Sequence, residues 1–436
     1  MRGSFEEAGF DVVPPSDPAD VCVANTCTVT HVADRKSRHW LRLARRRNPE
    51  AFIIAAGCYA QRAPQELAPI ADLVLGNEGK ADIVELVMRL PLRTRPDGRG
   101  TSRSSRVLSS GGHSGQRLVG NLAENKPCDG QPQGSRGLTD TARVRSLIKI
   151  QDGCESTCSY CIVPRVRPCE YSLPVSRIVS QIRNTAAMGC REVVLTGTKV
   201  GSYRYEDAGL GDLLKCILRG TDIERLRLSS LQPEEISEDL LGLWKDERLC
   251  RHFHLALQAG NDTVLQRMRR RYSVARYWET VSLVREAVPG AAITTDIMVG
   301  FPGESSEDFE QSYGYCRRIG YANIHVFTFS PRPGTKAAGM GKQVDDRTKK
   351  ERSSRMLELA RTCRDDFRDR FLGQTASVLW EKETEPGGGI YSGLTDNYIR
   401  VFARNGKLFS NRITAVRLVR RHGSEVWGEP VDEDPS

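Results

Sequence analysis

From residue 144 onward the chain repeats a single pattern, and no other property of the sequence limits the fold as sharply. Apolar runs of strand type at 144–150, 192–196, 225–230, 253–258, 293–298 and 323–329 alternate with helix-type stretches at 175–188, 212–218, 237–244, 274–287 and 306–319. Gly189 and Gly320 stand where two of these helices would end, and glycine accepts the left-handed geometry of a helix C-terminus. A strand, a helix and a second strand, repeated, make successive strands parallel. The predicted fold is therefore α/β, either a doubly wound sheet or an open partial barrel, and both place a ligand site at the C-terminal strand ends.

The flanking regions differ. Residues 1–92 carry short strand candidates at 21–24, 52–56 and 72–75 around a basic helix-like run at 33–47, which suggests a small α/β domain. Residues 93–141 are rich in Gly, Ser, Pro and Arg and read as a flexible linker. The alternating core occupies 142–372 and closes with a long charged helix near 345–371. Residues 373–431 change to strand-type alternation and read as a small all-β module.

Lys and Arg total 64 against 55 Asp and Glu, a net charge of +9 that permits a polyanionic partner without requiring one. The 13 cysteines are an odd number and too sparse for a disulfide scaffold. No apolar run follows Met1, and the longest apolar stretch, 51–60, is well short of a membrane span. The expectation is a cytoplasmic protein with no membrane association, whose important cysteines bind metal or do redox chemistry.

Cys154-x3-Cys158-x2-Cys161 directly follows the first strand of the repeat. Three thiolates on one loop suit a 4Fe–4S cluster with its fourth iron open for a ligand. This spacing resembles the radical S-adenosylmethionine (SAM) superfamily, whose partial barrel the strand–helix repeat is similar to. Further stretches resemble the methylthiotransferase family: Asn25-Thr26-Cys27-Thr28-Val29-Thr30, Gly57-Cys58-Tyr59-Ala60-Gln61, Leu257-Gln258-Ala259-Gly260, Gly300-Phe301-Pro302-Gly303-Glu304 and Ser330-Pro331-Arg332-Pro333-Gly334-Thr335. Gly393-Leu394-Thr395-Asp396-Asn397-Tyr398 is similar to that family's C-terminal TRAM module.

The resemblance implies Cys154, Cys158 and Cys161 as ligands of the SAM-binding cluster, and Cys27 and Cys58 as ligands of a second 4Fe–4S cluster. It implies SAM contacts at Gly197, Ser230, Gln258 and Asp296, with bland strand-end roles open for each. It also implies a tRNA anticodon stem-loop as partner and an electron donor that the sequence does not identify; the oligomeric state stays open. The substrate branch is read from Asn25 to Thr30, Asp34-Arg35-Lys36-Ser37-Arg38 and Arg267 to Tyr272, which resemble the branch acting on N6-threonylcarbamoyladenosine. Prenyl-adenosine, a ribosomal-protein aspartate, or a non-catalytic iron–sulfur RNA-binding role are the alternatives.

The family's first second-cluster cysteine, in a Gly-Cys-x-x-Asn element, has no counterpart in the 436 residues. The chain as written is therefore expected to cleave SAM with little methylthiolation. Cys22 is read as a core residue rather than a substitute ligand, and His252 and His254 as structural. Basic residues expected to grip RNA are Arg42, Arg45 and Arg46 on the first helix and Arg400 and Arg417 in the β module. Two departures stand near the cluster loop, Pro168 and Tyr171, where the family carries glycine and arginine.

Overall fold

The computed structural model describes residues 1–90, 106–108, 144–385, 387–404, 410–423 and 425–431. They form two compact units. The first comprises Met1–Thr139 with Cys154–Cys169 and Ser330–Ala338, and the second Asp140–Gly153, Glu170–Phe329 and Gly339–Ser436. The cluster loop thus packs with the N-terminal unit, not with the repeat in which the sequence embeds it.

The first unit is built on a parallel sheet of β1 (Asp11–Val13), β2 (Val21–Thr26), β3 (Phe52–Gly57), β4 (Leu73–Leu75) and β5 (Arg106–Leu108), in the order β1-β5-β2-β3-β4. Strands β2 and β3 are buried on both faces, which explains their unbroken apolar runs. Cys22 is fully buried among Leu41, Ile53 and Leu67, the core position expected of it. Helix His31–Arg47 starts where the Thr30 hydroxyl accepts from the Ala33 N–H, and buries Leu41 and Ala44. Strand β5 corrects the linker expectation. Three residues inside that stretch pair in parallel with β1, two of them also with β2, and their polar, Gly-rich flanks hid so short a strand. The rest of the expected linker lies outside the described residues.

In the second unit, β6 (Arg145–Lys149), β7 (Gln151–Asp152), β8 (Tyr171–Ser172), β9 (Glu192–Thr196), β10 (Arg204–Tyr205), β11 (Ala208–Gly209), β12 (Arg225–Leu228), β13 (Ser230–Leu231), β14 (His252–Leu255), β15 (Ala292–Val299) and β16 (Asn323–Thr328) follow in order. Parallel pairing gives β12-β9-β6 and β13-β14-β15-β16, joined by a Leu226–Leu249 bridge. The open partial barrel, not the doubly wound sheet, is the outcome. Helices Val175–Ala187, Val274–Ala287 and Ser306–Ile319 occupy their expected places. The stretch 237–244 splits into Glu238–Leu241 and a tighter turn from Gly242, because glycine weakens the helix there. Helix Asp262–Met268 was not anticipated; it is capped by Asn261 and stopped by Arg269 in left-handed geometry.

Helix Asp346–Asp369 packs Met356, Leu359, Ala360, Cys363 and Phe367 inward. Beyond it, β17 (Thr375–Glu383), β18 (Ile390–Thr395), β19 (Arg400–Arg404), β20 (Ile413–His422) and β21 (Glu425–Pro430) close into a small barrel around Trp380, Val401, Val416 and Leu418. A side chain at Gly393 would meet the Leu379 carbonyl at 2.6 Å, so only glycine lets β17 and β18 close here. The barrel docks on the N-terminal ends of the parallel strands. Arg225 donates to the Leu394 and Ser377 carbonyls, Arg227 to the Asp396 carbonyl, and Arg251 pairs with the Asp396 carboxylate at 2.6 Å. Tyr398 stacks on His252 with ring centres 4.5 Å apart. The Thr395-to-Tyr398 motif is thus a docking turn. Among the described residues no helix is long and apolar enough to cross a membrane.

Candidate functional site

In the first unit, β2 and β3 run parallel with Thr26 opposite Gly57. The next residues, Cys27 and Cys58, therefore leave neighbouring strand ends side by side. Gly57 has φ of 109°, and a Cβ there would meet Asn25 Oδ1 and the Thr26 carbonyl at 2.7 Å, so the residue before Cys58 must be glycine. Two N–H donors point at the Cys58 sulfur: Arg167 Nε at 3.2 Å and Asn77 Nδ2 at 3.5 Å. The Cys58 sulfur, half-buried, thus lies within reach of side chains from two other segments of the same unit. Arg167 and Asn77 carry no cysteine signature, and the sequence reading missed both.

Cys154, Cys158 and Cys161 are each partly exposed on one loop. Within that loop the Cys161 N–H donates to the Cys158 carbonyl and the Cys154 N–H to the Arg167 carbonyl. Ser330–Ala338 joins the same unit. Arg332, 1% exposed, pairs with Asp34 at 2.6 Å and donates to the Thr28 carbonyl, while Arg62 also reaches Asp34 at 3.1 Å. The Asp34 and Arg332 motifs, far apart in sequence, are two halves of one buried ion pair.

In the second unit, the strand entering the loop is pinned to its neighbour. Gln151, fully buried, accepts from the Lys199 N–H and donates to the Gly153 carbonyl; Asp152 accepts from Thr198 and Gly153. A Cβ on Gly197 would sit 2.8 Å from the Gln151 carbonyl, so this packing alone requires the glycine. Tyr171, in the place of the family's arginine, meets Lys149 at 3.3 Å.

Ser230 opens β13 and is exposed. Gln258 holds φ of 71° while its backbone bridges β15 through Asp296 and Met298. Asp296 lies mid-strand, with one carboxylate oxygen 3.4 Å from His254 Nε2 and the other 3.2 Å from His325 Nδ1. Burial alone would raise its pKa, but those two imidazole hydrogen bonds hold it well below the usual carboxylate range. Glu304 accepts from the Gly300 N–H and pairs with Arg352 at 2.5 Å, so it latches the Gly300–Glu304 turn rather than opening the next helix.

Burial separates four further thiols from the ligand candidates, while Cys216 is exposed on its helix. Burial pushes Cys250 up to about 12 and also raises Cys190, Cys316 and Cys363, which keeps all four protonated and inert. Of the basic residues, Arg42 and Arg46 lie exposed on one helix face with Arg35 and His39. Arg45 is instead tied to Asp72 at 2.8 Å, and Arg400 to Glu381. Arg417 is exposed on β20.

Residues 148–316 match the Radical SAM superfamily and residues 1–76 an uncharacterized protein family, UPF0004. The chain is 35% identical to the threonylcarbamoyladenosine tRNA methylthiotransferase MtaB of Aquifex aeolicus, over 92% of each chain. It is 31% identical to the Bacillus subtilis protein of the same name, over 95% of this chain and 89% of that one. A tRNA-2-methylthio-N(6)-dimethylallyladenosine synthase of Geobacter metallireducens is 32% identical, over 97% and 92%. In fold the chain is similar to the radical SAM methyltransferase TsrM of Kitasatospora setae, with a TM-score of 0.50 and 18% identity over 77% of this chain and 68% of that one. By descent over nearly its whole length, the chain belongs to the radical SAM tRNA methylthiotransferase family.

Proposed function

We propose that the protein attaches a methylthio group to C2 of N6-threonylcarbamoyladenosine beside the tRNA anticodon, in the cytoplasm. The observation that carries this reading is that β2 and β3 end side by side and deliver Cys27 and Cys58 to neighbouring positions, because a second sulfur-bearing cluster suits sulfur transfer rather than radical chemistry alone. Cys154, Cys158 and Cys161 would hold the first 4Fe–4S cluster, and Cys27 and Cys58 would contribute to the second. When bound, the first cluster and SAM supply a 5′-deoxyadenosyl radical able to remove the C2 hydrogen. The chain's own groups position and protect. Gln151 and Asp152 fix the entry to the cluster loop, Arg167 and Asn77 hold the Cys58 side chain in place, and Arg42, Arg46 and Arg417 offer phosphate contacts.

The threonylcarbamoyl branch is supported by the motifs around Asp34 and by relatives bearing that name. The anaerobically reconstituted chain, given SAM and a reductant, tests it. Anticodon stem-loops carrying threonylcarbamoyladenosine should speed 5′-deoxyadenosine formation more than loops carrying prenyl-adenosine. The reverse order would refute the threonylcarbamoyl assignment.

A further inference from the structure

Three parallel strands of the second unit carry a chain of polar side chains that runs from His252 to His325. His252 Nε2 lies 3.0 Å from the Thr294 hydroxyl, and that hydroxyl lies 3.0 Å from His254 Nδ1. His254 Nε2 and His325 Nδ1 then face separate oxygens of Asp296. The His254 and His325 rings stack 5.4 Å apart.

Hydrogen-bond chemistry fixes the direction of this chain. An ionised carboxylate only accepts, so His325 Nδ1 and His254 Nε2 must both carry hydrogens. With Nε2 turned to Asp296, His254 Nδ1 is the ring atom that faces the Thr294 hydroxyl. The Thr294 oxygen in turn accepts from His252 Nε2. Two ring nitrogens are left over among the described residues: His252 Nδ1, which is buried, and His325 Nε2, on the half-exposed ring. The His325 side chain is 48% exposed, whereas its neighbour Ile324 is buried. Phe327, two residues on and therefore on the same strand face, is 43% exposed. An oriented acceptor beside an exposed aromatic ring is the combination that reads an unstacked base.

We propose that this face of β16 binds the target nucleoside, with Phe327 against the base and His325 Nε2 accepting an N–H of the N6 substituent. Asp296 and His254 are positioning residues that hold the imidazole in the accepting tautomer. The inference rests on the threonylcarbamoyl reading and deepens it. A ureido arm offers N–H groups beyond N6, whereas a prenyl arm offers none. A site built around an acceptor discriminates against a ligand that leaves the acceptor unpaired.

Binding tests this without requiring turnover. The full chain, reconstituted with iron and sulfide and supplied with SAM, is titrated with stem-loops carrying either nucleoside. Wild type should bind the threonylcarbamoyl loop at least about tenfold more tightly than the prenyl loop, the scale of one hydrogen bond in an enclosed site. His325→Ala should shrink that ratio to within about twofold, and His325→Gln, which keeps an acceptor, should restore part of it. Iron content equal to wild type shows that the variants fold. A variant ratio equal to wild type overturns the role of His325. A wild-type preference for prenyl loops, or none, overturns the substrate reading on which it rests.

Discussion

Two carboxylates in the second unit sit among basic side chains, and their surroundings differ in one respect. Glu192, 0% exposed, meets Arg227 at 2.9 Å and Arg145 at 2.6 Å, with Arg225 at 3.8 Å. Arg225 and Arg227 continue onto barrel carbonyls and Arg145 onto the Glu381 carboxylate, so the cluster ends on protein. Asp296 meets two imidazoles, and one of them ends at an exposed nitrogen. The first cluster stands where the strands begin and the β barrel docks; the second ends in solvent. A buried charge whose partners are all protein holds an architecture together. A charge network with one open end is poised for a ligand.

Substitutions at each cluster separate these roles. The largest effect on stability is expected at Glu192. Glu192→Gln leaves Arg225 and Arg227 buried without their counter-charge and should lower unfolding free energy by about 3–5 kcal/mol in chemical denaturation. Burial alone would raise the Glu192 pKa, but Arg227 and then Arg145 and Arg225 hold it below its ordinary value. Its contribution is therefore complete above the unfolded carboxylate value of about 4.3 and lost as pH falls through the lower folded value. The stability gap between wild type and Glu192→Gln should accordingly close only in acid. Asp296→Asn should lower stability by only about 1 kcal/mol, because the amide oxygen can still accept from an imidazole and the His325 ring is half-exposed. It should nevertheless erase discrimination between the two stem-loops; a large loss of stability with discrimination intact would reverse the comparison.

The smallest effect on stability is expected at the exposed helix face. Arg42→Ala with Arg46→Ala should leave stability within about 0.5 kcal/mol. It should reduce the slope of log affinity for tRNA against log salt by about 2, one for each phosphate contact. Arg45→Ala, which breaks the pair with Asp72, should leave that slope unchanged.

Much of this was legible in the sequence because periodicity and cysteine spacing are local. The repeat gave β9 and helices Val274–Ala287 and Ser306–Ile319 their observed bounds. The parallel register ends β2 and β3 together, just before Cys27 and Cys58. What stayed hidden depends on distant partners. Nothing near Arg167 announces a bond to Cys58, and nothing near Arg332 announces Asp34. His254 read as structural because its partner Asp296 comes 42 residues later and His325 a further 29. Gly197 read as making room for a ligand, whereas Gln151 already fills that space.

The claim that this chain acts on threonylcarbamoyladenosine is tested most directly by isotope transfer. A stem-loop deuterated at C2 of that nucleoside is incubated with the reconstituted chain, SAM and reductant, and the 5′-deoxyadenosine is analysed by mass spectrometry. Deuterium should appear in the 5′-deoxyadenosine from this loop and not from a matched loop carrying C2-deuterated prenyl-adenosine. Deuterium from the prenyl loop alone, or from neither, would contradict the account.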